Sequence, residues 1–419
     1  MYEELILNLT TQLFNSFFQG GFECSAHCLR SGQRLDLLES TQHYKYVNED
    51  YNLLSSHGIK TVRDGIRWHL IEVYPGYYDW SSFLPMLQAS IKNKTQVIWD
   101  LCHYGWPNHI DIWRPAFVQQ FATFAQAVAK IVRSETDEVP FYSLINEISF
   151  FAWAGGDVEY LNPFFKGRGF ELKHQLIRAT ITAIDAIRLI DPRARFVQAE
   201  PVINVINRTN NNINELNSYN EPQYETWDIL SGELWPGLGG RKDLLDIIGV
   251  NYYHNNQWYI DGTRINRDNP QYMPFANILE KVYKRYHRPI FIAETGIEGD
   301  QRPEWFNYIC NEIYTSIINN IPIEGVCLYP ILDYPGWDDN RHCQTGLYGF
   351  ADTLGYRPLC NSLAMELRQQ QEKFSTLLNN VFISNQYTYP NLAHSQNNKL
   401  IIKNHGDHLN KYLADDSIA

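Results

Sequence analysis

The chain has 419 residues, 44% of them hydrophobic, and a formal net charge of -12. That length can bury a large core, and an α/β barrel with insertions takes it up as one unit. The negative charge speaks against nucleic acid and anionic membrane surfaces as partners, since both require a basic face.

From about residue 16 to about residue 373, short apolar runs alternate with longer amphipathic segments. In chain order the strand candidates are "SFFQGGF", "KTVRDGI", "TQVIWDL", "PFYSLI", "ARFVQA", "LDIIGV", "PIFIA" and "EGVCLY". Between them, "PAFVQQFATFAQAVAKIVR" and "PEWFNYICNEIYTSIINN" carry apolar residues at helical spacing. "ELKHQLIRATITAIDAIRLI" has the same period and stops before Asp191-Pro192. Strands that are apolar on both faces and alternate with helices imply a parallel sheet. About eight such units close a (β/α)8 TIM barrel, the expected fold. A doubly wound open sheet is the competing architecture, but no G-x-G-x-x-G follows the first strand and there is no P-loop. Residues 204–240, after the fifth strand, are rich in Asn, Pro and Gly and read as an extended loop with a short helix over the barrel top. The expected organisation is a single barrel over 1–375 and a polar, weakly ordered tail over 376–419.

The seven cysteines show no CxxC spacing, which suits reduced, buried thiols better than disulfides or a zinc site. The N-terminal stretch has no basic n-region, and no apolar run approaches membrane-spanning length. These features lead us to expect a soluble cytoplasmic protein without membrane insertion. With 11 Trp, 27 Tyr and 21 Phe, core packing accounts for most of the aromatic content. A cleft that stacks sugar rings on aromatic faces is the sharper alternative.

Two of the apolar runs end on a carboxylate. "VPFYSLINEISF" closes on Asn146-Glu147, and the run Ile290–Ala293 closes on Glu294. Side chains at the C-terminal ends of barrel strands point into one shared mouth. Glu147 would end the fourth strand and Glu294 the seventh, across that mouth. Two facing carboxyls suit glycoside hydrolysis, one protonating the leaving oxygen and the other attacking the anomeric carbon. A lone glutamate after a strand is more often a helix cap or half of a surface ion pair. Two in matching contexts, one preceded by Asn, favour chemistry.

On these residues the chain resembles the retaining (β/α)8 glycosidases that carry catalytic glutamates on strands four and seven. It is most similar to family 1 β-glycosidases, the β-glucosidase type. "LINEI" resembles that family's Asn-Glu-Pro motif and "IFIAETG" its Ile-Thr-Glu-Asn-Gly. "DIIGVNYYHN" is close to its Gly-x-Asn-Tyr-Tyr strand, and "LYPILDYPGW" with "GLYGF" echoes its eighth strand and the segment after it. The resemblance runs from about "FFQGGFECSAH" to "GLYGF". It implies Glu147 as general acid/base and Glu294 as nucleophile. Asn146 would hold the sugar 2-hydroxyl. Arg63 and Tyr253 would keep Glu294 ionised, and His103 would bind a sugar hydroxyl. The chain departs from the pattern at four places. His27 stands for the usual Gln, Gly336-Trp337 for a Glu-Trp pair, Tyr329 for the sugar-platform Trp, and Ile148 for the Pro after the acid. Asp338, Asp339, Arg341 and His342 follow and could supply replacement contacts. Glu200, ending the fifth strand, is expected to face the mouth as well.

The resulting expectation is a retaining β-glycosidase acting on a small glycoside or oligosaccharide, with no metal or organic cofactor. A transglycosylase using the same site is one alternative, and a catalytically silent sugar-binding protein on this scaffold is another. The oligomeric state is left open.

Overall fold

The computed structural model describes residues 11–208 and 213–388. Eight strands close into a barrel in strict chain order. They are β1 (Phe18–Gly21), β2 (Thr61–Gly65), β3 (Gln96–Cys102), β4 (Phe141–Ile145), β5 (Arg195–Pro201), β6 (Ile247–Asn251), β7 (Ile290–Thr295) and β8 (Ile323–Leu328). Every barrel pairing is parallel, and β1 closes on β8. Each of the eight apolar runs supplies one of these strands.

One principal helix follows each strand: α1 (His43–Ser56), α2 (Leu84–Asn93), α3 (Ala116–Glu135), α4 (Gly169–Arg188), α5 (Glu225–Ser231), α6 (Phe275–Tyr286), α7 (Arg302–Ile318) and α8 (Asn361–Thr388). The helices explain why the strands are apolar on both faces. Every residue of β1, β2, β4, β6, β7 and β8 is buried, one face against the barrel interior and the other under helices. In α3, Phe117, Phe121, Phe124, Val128 and Val132 are buried at three- and four-residue steps, one stripe of the helix. Arg133 sits in its last turn, where the helix dipole favours a cation. The end of the barrel opposite the strands' C-termini is plugged by Phe14. Its ring lies 5.2 Å from Phe141 and 5.1 Å from Phe291, within a buried cluster that includes Ile98, Val197 and Ile247.

The segment after β5 is more ordered than its composition suggests. Asn204–Ile206 pairs in parallel with Gln257–Tyr259, and a helix over Ile213–Asn220 and a turn over Glu221–Tyr224 lead into α5. Its polar side chains bond to backbone. Asn220 accepts from the Val205 N–H and donates to its carbonyl, both at 2.9 Å. Gln223 Oε1 accepts the Ile203 N–H at 2.8 Å.

The chain divides into one unit of residues 1–375 and a second of residues 376–419. The polar tail expected from sequence lies, beyond residue 388, outside the described residues. No helix among the described residues is long and apolar enough to cross a membrane. All seven cysteines are free thiols, five of them buried.

Candidate active site

A cavity of about 1120 Å³ opens at the C-terminal ends of the strands. Glu147, Glu294, His103, Tyr253, Tyr329 and Trp337 line it. Backbone hydrogen bonds carry the sheet ladder past the strand ends and fix where the two glutamates stand. Asn146 N–H donates to the Cys102 carbonyl at 3.1 Å, and Glu147 N–H donates to the Ala199 carbonyl at 3.0 Å. Glu147 then turns left-handed, with φ 43° and ψ 61°, directly before a short helix over Ile148–Ala152. A side-chain-bearing residue held there costs about 1–3 kcal/mol, which the surrounding sheet must sustain. Glu294 lies in β7, where a register shift against β6 between Ile292 and Glu294 brings it opposite Asn251.

The two carboxyls have different surroundings. Glu294 is 5% exposed. Its Oε1 accepts from Arg63 Nη1 at 2.6 Å and its Oε2 from the Tyr253 hydroxyl at 2.8 Å. Arg63 is anchored from behind by Asp100, 2.6 Å from Nη2. Glu147 has only neutral donors, Asn251 Nδ2 at 2.8 Å and the Tyr104 hydroxyl at 2.9 Å. Burial raises its pKa, the charge of Glu294 raises it further, and the two hydrogen bonds only partly oppose them, so it is pushed up to about 8. One cavity therefore holds a carboxyl whose pKa is raised by burial and by its neighbour's charge and another paired with a buried guanidinium.

A continuous set of hydrogen bonds joins them. Arg63 Nη2 donates to Asn146 Oδ1 at 2.7 Å, and Asn146 Nδ2 donates to the Tyr104 hydroxyl at 3.0 Å. The Tyr104 hydroxyl in turn donates to Glu147. Asn146 Nδ2 also lies 3.1 Å from His103 Nε2, and His103 Nδ1 lies 3.3 Å from Asp100. Burial works against a charged His103 ring, but Asp100 and Glu23 raise its pKa above the ordinary value.

Several residues expected at the site are placed differently. Asn146 sits behind the cavity wall with its polar atoms engaged in the set just described, whereas Arg63, also behind the wall, pairs with Glu294 as expected. His27 is 1% exposed and does not line the cavity. Its ring packs edge-on against Trp337 at 4.7 Å between centroids, and burial, with smaller help from His103 and Arg34, lowers its pKa to about 3. Glu200 does not face the mouth. It is fully buried and accepts the Ser149 N–H at 3.0 Å and Gln198 Nε2 at 3.1 Å. The unpaired N–H groups at the start of the Ile148–Ala152 helix draw its carboxylate inward. Asp338, Asp339 and Arg341 line the cavity while His342 does not. Arg341 is held by Glu298 through two contacts of 2.6 Å.

Tyr104, Asn251, Asp100 and Glu23 are site residues that sequence reasoning missed. Asn251 lies inside the quoted "DIIGVNYYHN", and Tyr104 directly follows His103. Glu23 follows the first apolar run much as Glu147 follows the fourth, which is the signal that could have found it. Cys24, Asp100 and His103 bring ligand atoms within 4.8 Å of one another. They do not suit a metal, because Arg63 already supplies the positive charge on Asp100 and the Cys24 thiol is held protonated by burial.

No model of a known protein family matches this chain, and no curated protein matches it. Solved structures do. A β-glucosidase from Thermotoga maritima in complex with azafagomine superposes with a TM-score of 0.70 at 16% identity, covering 85% of this chain and 98% of that one. The chain shares its fold. The family 1 β-glucosidase from the same organism gives 0.67 at 16% identity over 79% of this chain and 87% of that one. Its complex with isofagomine lactam gives 0.70 at 16% identity, over 85% and 97%. The (β/α)8 barrel shared with these structures is the architecture on which this cavity is built, with Glu147 and Glu294 at the ends of the fourth and seventh strands.

Proposed function

We propose that the protein is a retaining β-glycosidase acting on a small glycoside by double displacement. The observation that carries this reading is the unequal setting of two carboxyls on one cavity. Glu147, held protonated, gives its proton to the glycosidic oxygen. Glu294, paired with Arg63 and Tyr253, attacks the anomeric carbon, and the leaving alcohol departs with the proton from Glu147. Glu147, now a carboxylate, takes a proton from water. That water attacks the glycosyl–Glu294 ester, returning Glu294 to its free form and releasing a sugar of unchanged configuration. His103, Tyr329 and Trp337 contact the sugar, while Arg63, Asn146 and Tyr104 hold the two glutamates in place. The likeness to β-glucosidases in fold supports a sugar substrate, and the cavity volume leaves room beyond one ring. Proton NMR of the first product from a panel of aryl β-glycosides tests the mechanism. The β-anomer should appear first, and initial release of the α-anomer would rule out retention.

A further inference from the structure

One buried carboxylate of the cavity has no part in that chemistry. Glu23 stands two residues past the end of β1, in a segment tied down by Phe22 N–H to the Arg63 carbonyl at 2.9 Å and Ala26 N–H to the His103 carbonyl at 3.1 Å. It lines the cavity and is 7% exposed. Its Oε1 accepts the Ser25 N–H at 3.0 Å. His103 Nε2 lies 3.9 Å from the same oxygen, beyond hydrogen-bond reach. A turn cap alone uses one carboxylate oxygen and works equally well at the surface. A desolvated carboxylate on a cavity wall is expensive unless something completes its hydrogen bonding.

We infer that Glu23 is a sugar-binding, specificity-determining residue that accepts hydrogen bonds from hydroxyls of a neutral sugar ring and turns away rings bearing an anionic group. This rests on the glycosidase reading for its substrate class. The charge of the wall agrees with it. Eight acidic side chains line the cavity against one lysine and one arginine. Both cations are ion-paired, Lys173 to Glu225 at 2.6 Å and Arg341 to Glu298 at 2.6 Å. Apart from His103, whose ring faces Asp100, a uronate or a phosphorylated sugar finds no unpaired lysine or arginine among the described residues of the wall, whereas hydroxyl donors find a carboxylate.

The test is calorimetric binding of phenyl 1-thio-β-glycosides, which resist hydrolysis, at neutral pH. The panel holds gluco, galacto and xylo forms, their monodeoxy analogues and the glucuronide. The intact protein should bind at least one neutral member and reject the glucuronide. Glu23→Gln should weaken that neutral ligand roughly 10- to 100-fold. With the deoxy analogue that lacks the contacted hydroxyl, the weakening should shrink below about 3-fold, and the gap to the glucuronide should narrow. Glu23→Asp keeps the charge but shortens its reach, and it should bind weakly while melting like the parent. Uniform weakening across the panel, unchanged affinity, or no neutral ligand bound by the parent protein would overturn the proposal. Hydrolysis of the matching O-glycosides, measured alongside, separates the two ideas. Binding as described without cleavage sinks the glycosidase reading and leaves Glu23 standing. Cleavage with Glu23→Gln binding unchanged sinks Glu23 alone.

Discussion

Replacing Glu147 with Gln separates the two steps assigned to it. The amide keeps the shape of the side chain but can accept from only one of its two donors, Asn251 Nδ2 or the Tyr104 hydroxyl. The fold should lose about 1–2 kcal/mol and survive. The acid is lost outright, and general acid catalysis is worth roughly 10²–10⁴-fold, or about 3–5 kcal/mol of barrier. That loss should fall on kcat/KM only where the leaving oxygen needs a proton. For phenyl or alkyl β-glycosides kcat/KM should drop by the full factor, and for dinitrophenyl β-glycosides it should change less than about tenfold. The second step also loses its base, so kcat for the activated substrates should fall while a glycosyl-enzyme accumulates. Steady-state kinetics across a leaving-group series reads both parameters. An equal loss of kcat/KM on good and poor leaving groups would refute the assignment of Glu147 as the acid.

Four further outcomes follow from the same geometry. The protonated form of Glu147 does the work, so kcat/KM should hold below its pKa and fall about tenfold per pH unit above about 8. A pH–rate profile of Glu147→Gln should lack that limb. Tyr104→Phe removes a hydrogen bond that favours ionised Glu147, so the basic limb should move to higher pH in the same profile. Arg63→Met leaves Asp100 and Glu294 buried without their cation; urea denaturation should register a loss of about 3–5 kcal/mol, with activity abolished. Phe14→Ala opens a void at the far end of the barrel and should cost about 3–5 kcal/mol of stability while leaving KM nearly unchanged.

The barrel was legible in the sequence because its cause is local. A strand covered on both faces must be apolar on both, so each of the eight runs stood out from its amphipathic neighbours. Glu147 and Glu294 were legible for the same reason, as charges ending such runs. What could not be read was whatever depends on register between strands. Tyr104 links the glutamates only because β3 and β4 place its hydroxyl between Asn146 and Glu147. Asn251 reaches Glu147 only through the position of the end of β6. Glu200 carried the same strand-end signature, yet a helix start next to it took its carboxylate inward. The segment over 204–240 misled by composition. Its Asn, Pro and Gly content points to an extended loop, whereas Asn220 and Gln223 bond to the backbone and order it.

The most direct test of the double displacement is intact-protein mass after incubation with activated 2-deoxy-2-fluoro β-glycosides of gluco, galacto, manno and xylo configuration. The fluorine slows both steps by destabilising the oxocarbenium-like transition state, and the activated leaving group restores the first, so the glycosyl-enzyme should persist. The account predicts a single adduct with one or more of these sugars, mapping by peptide digestion to Glu294 and absent from Glu294→Gln. An adduct on another residue, or none with any of the four from protein shown to be folded, would contradict it.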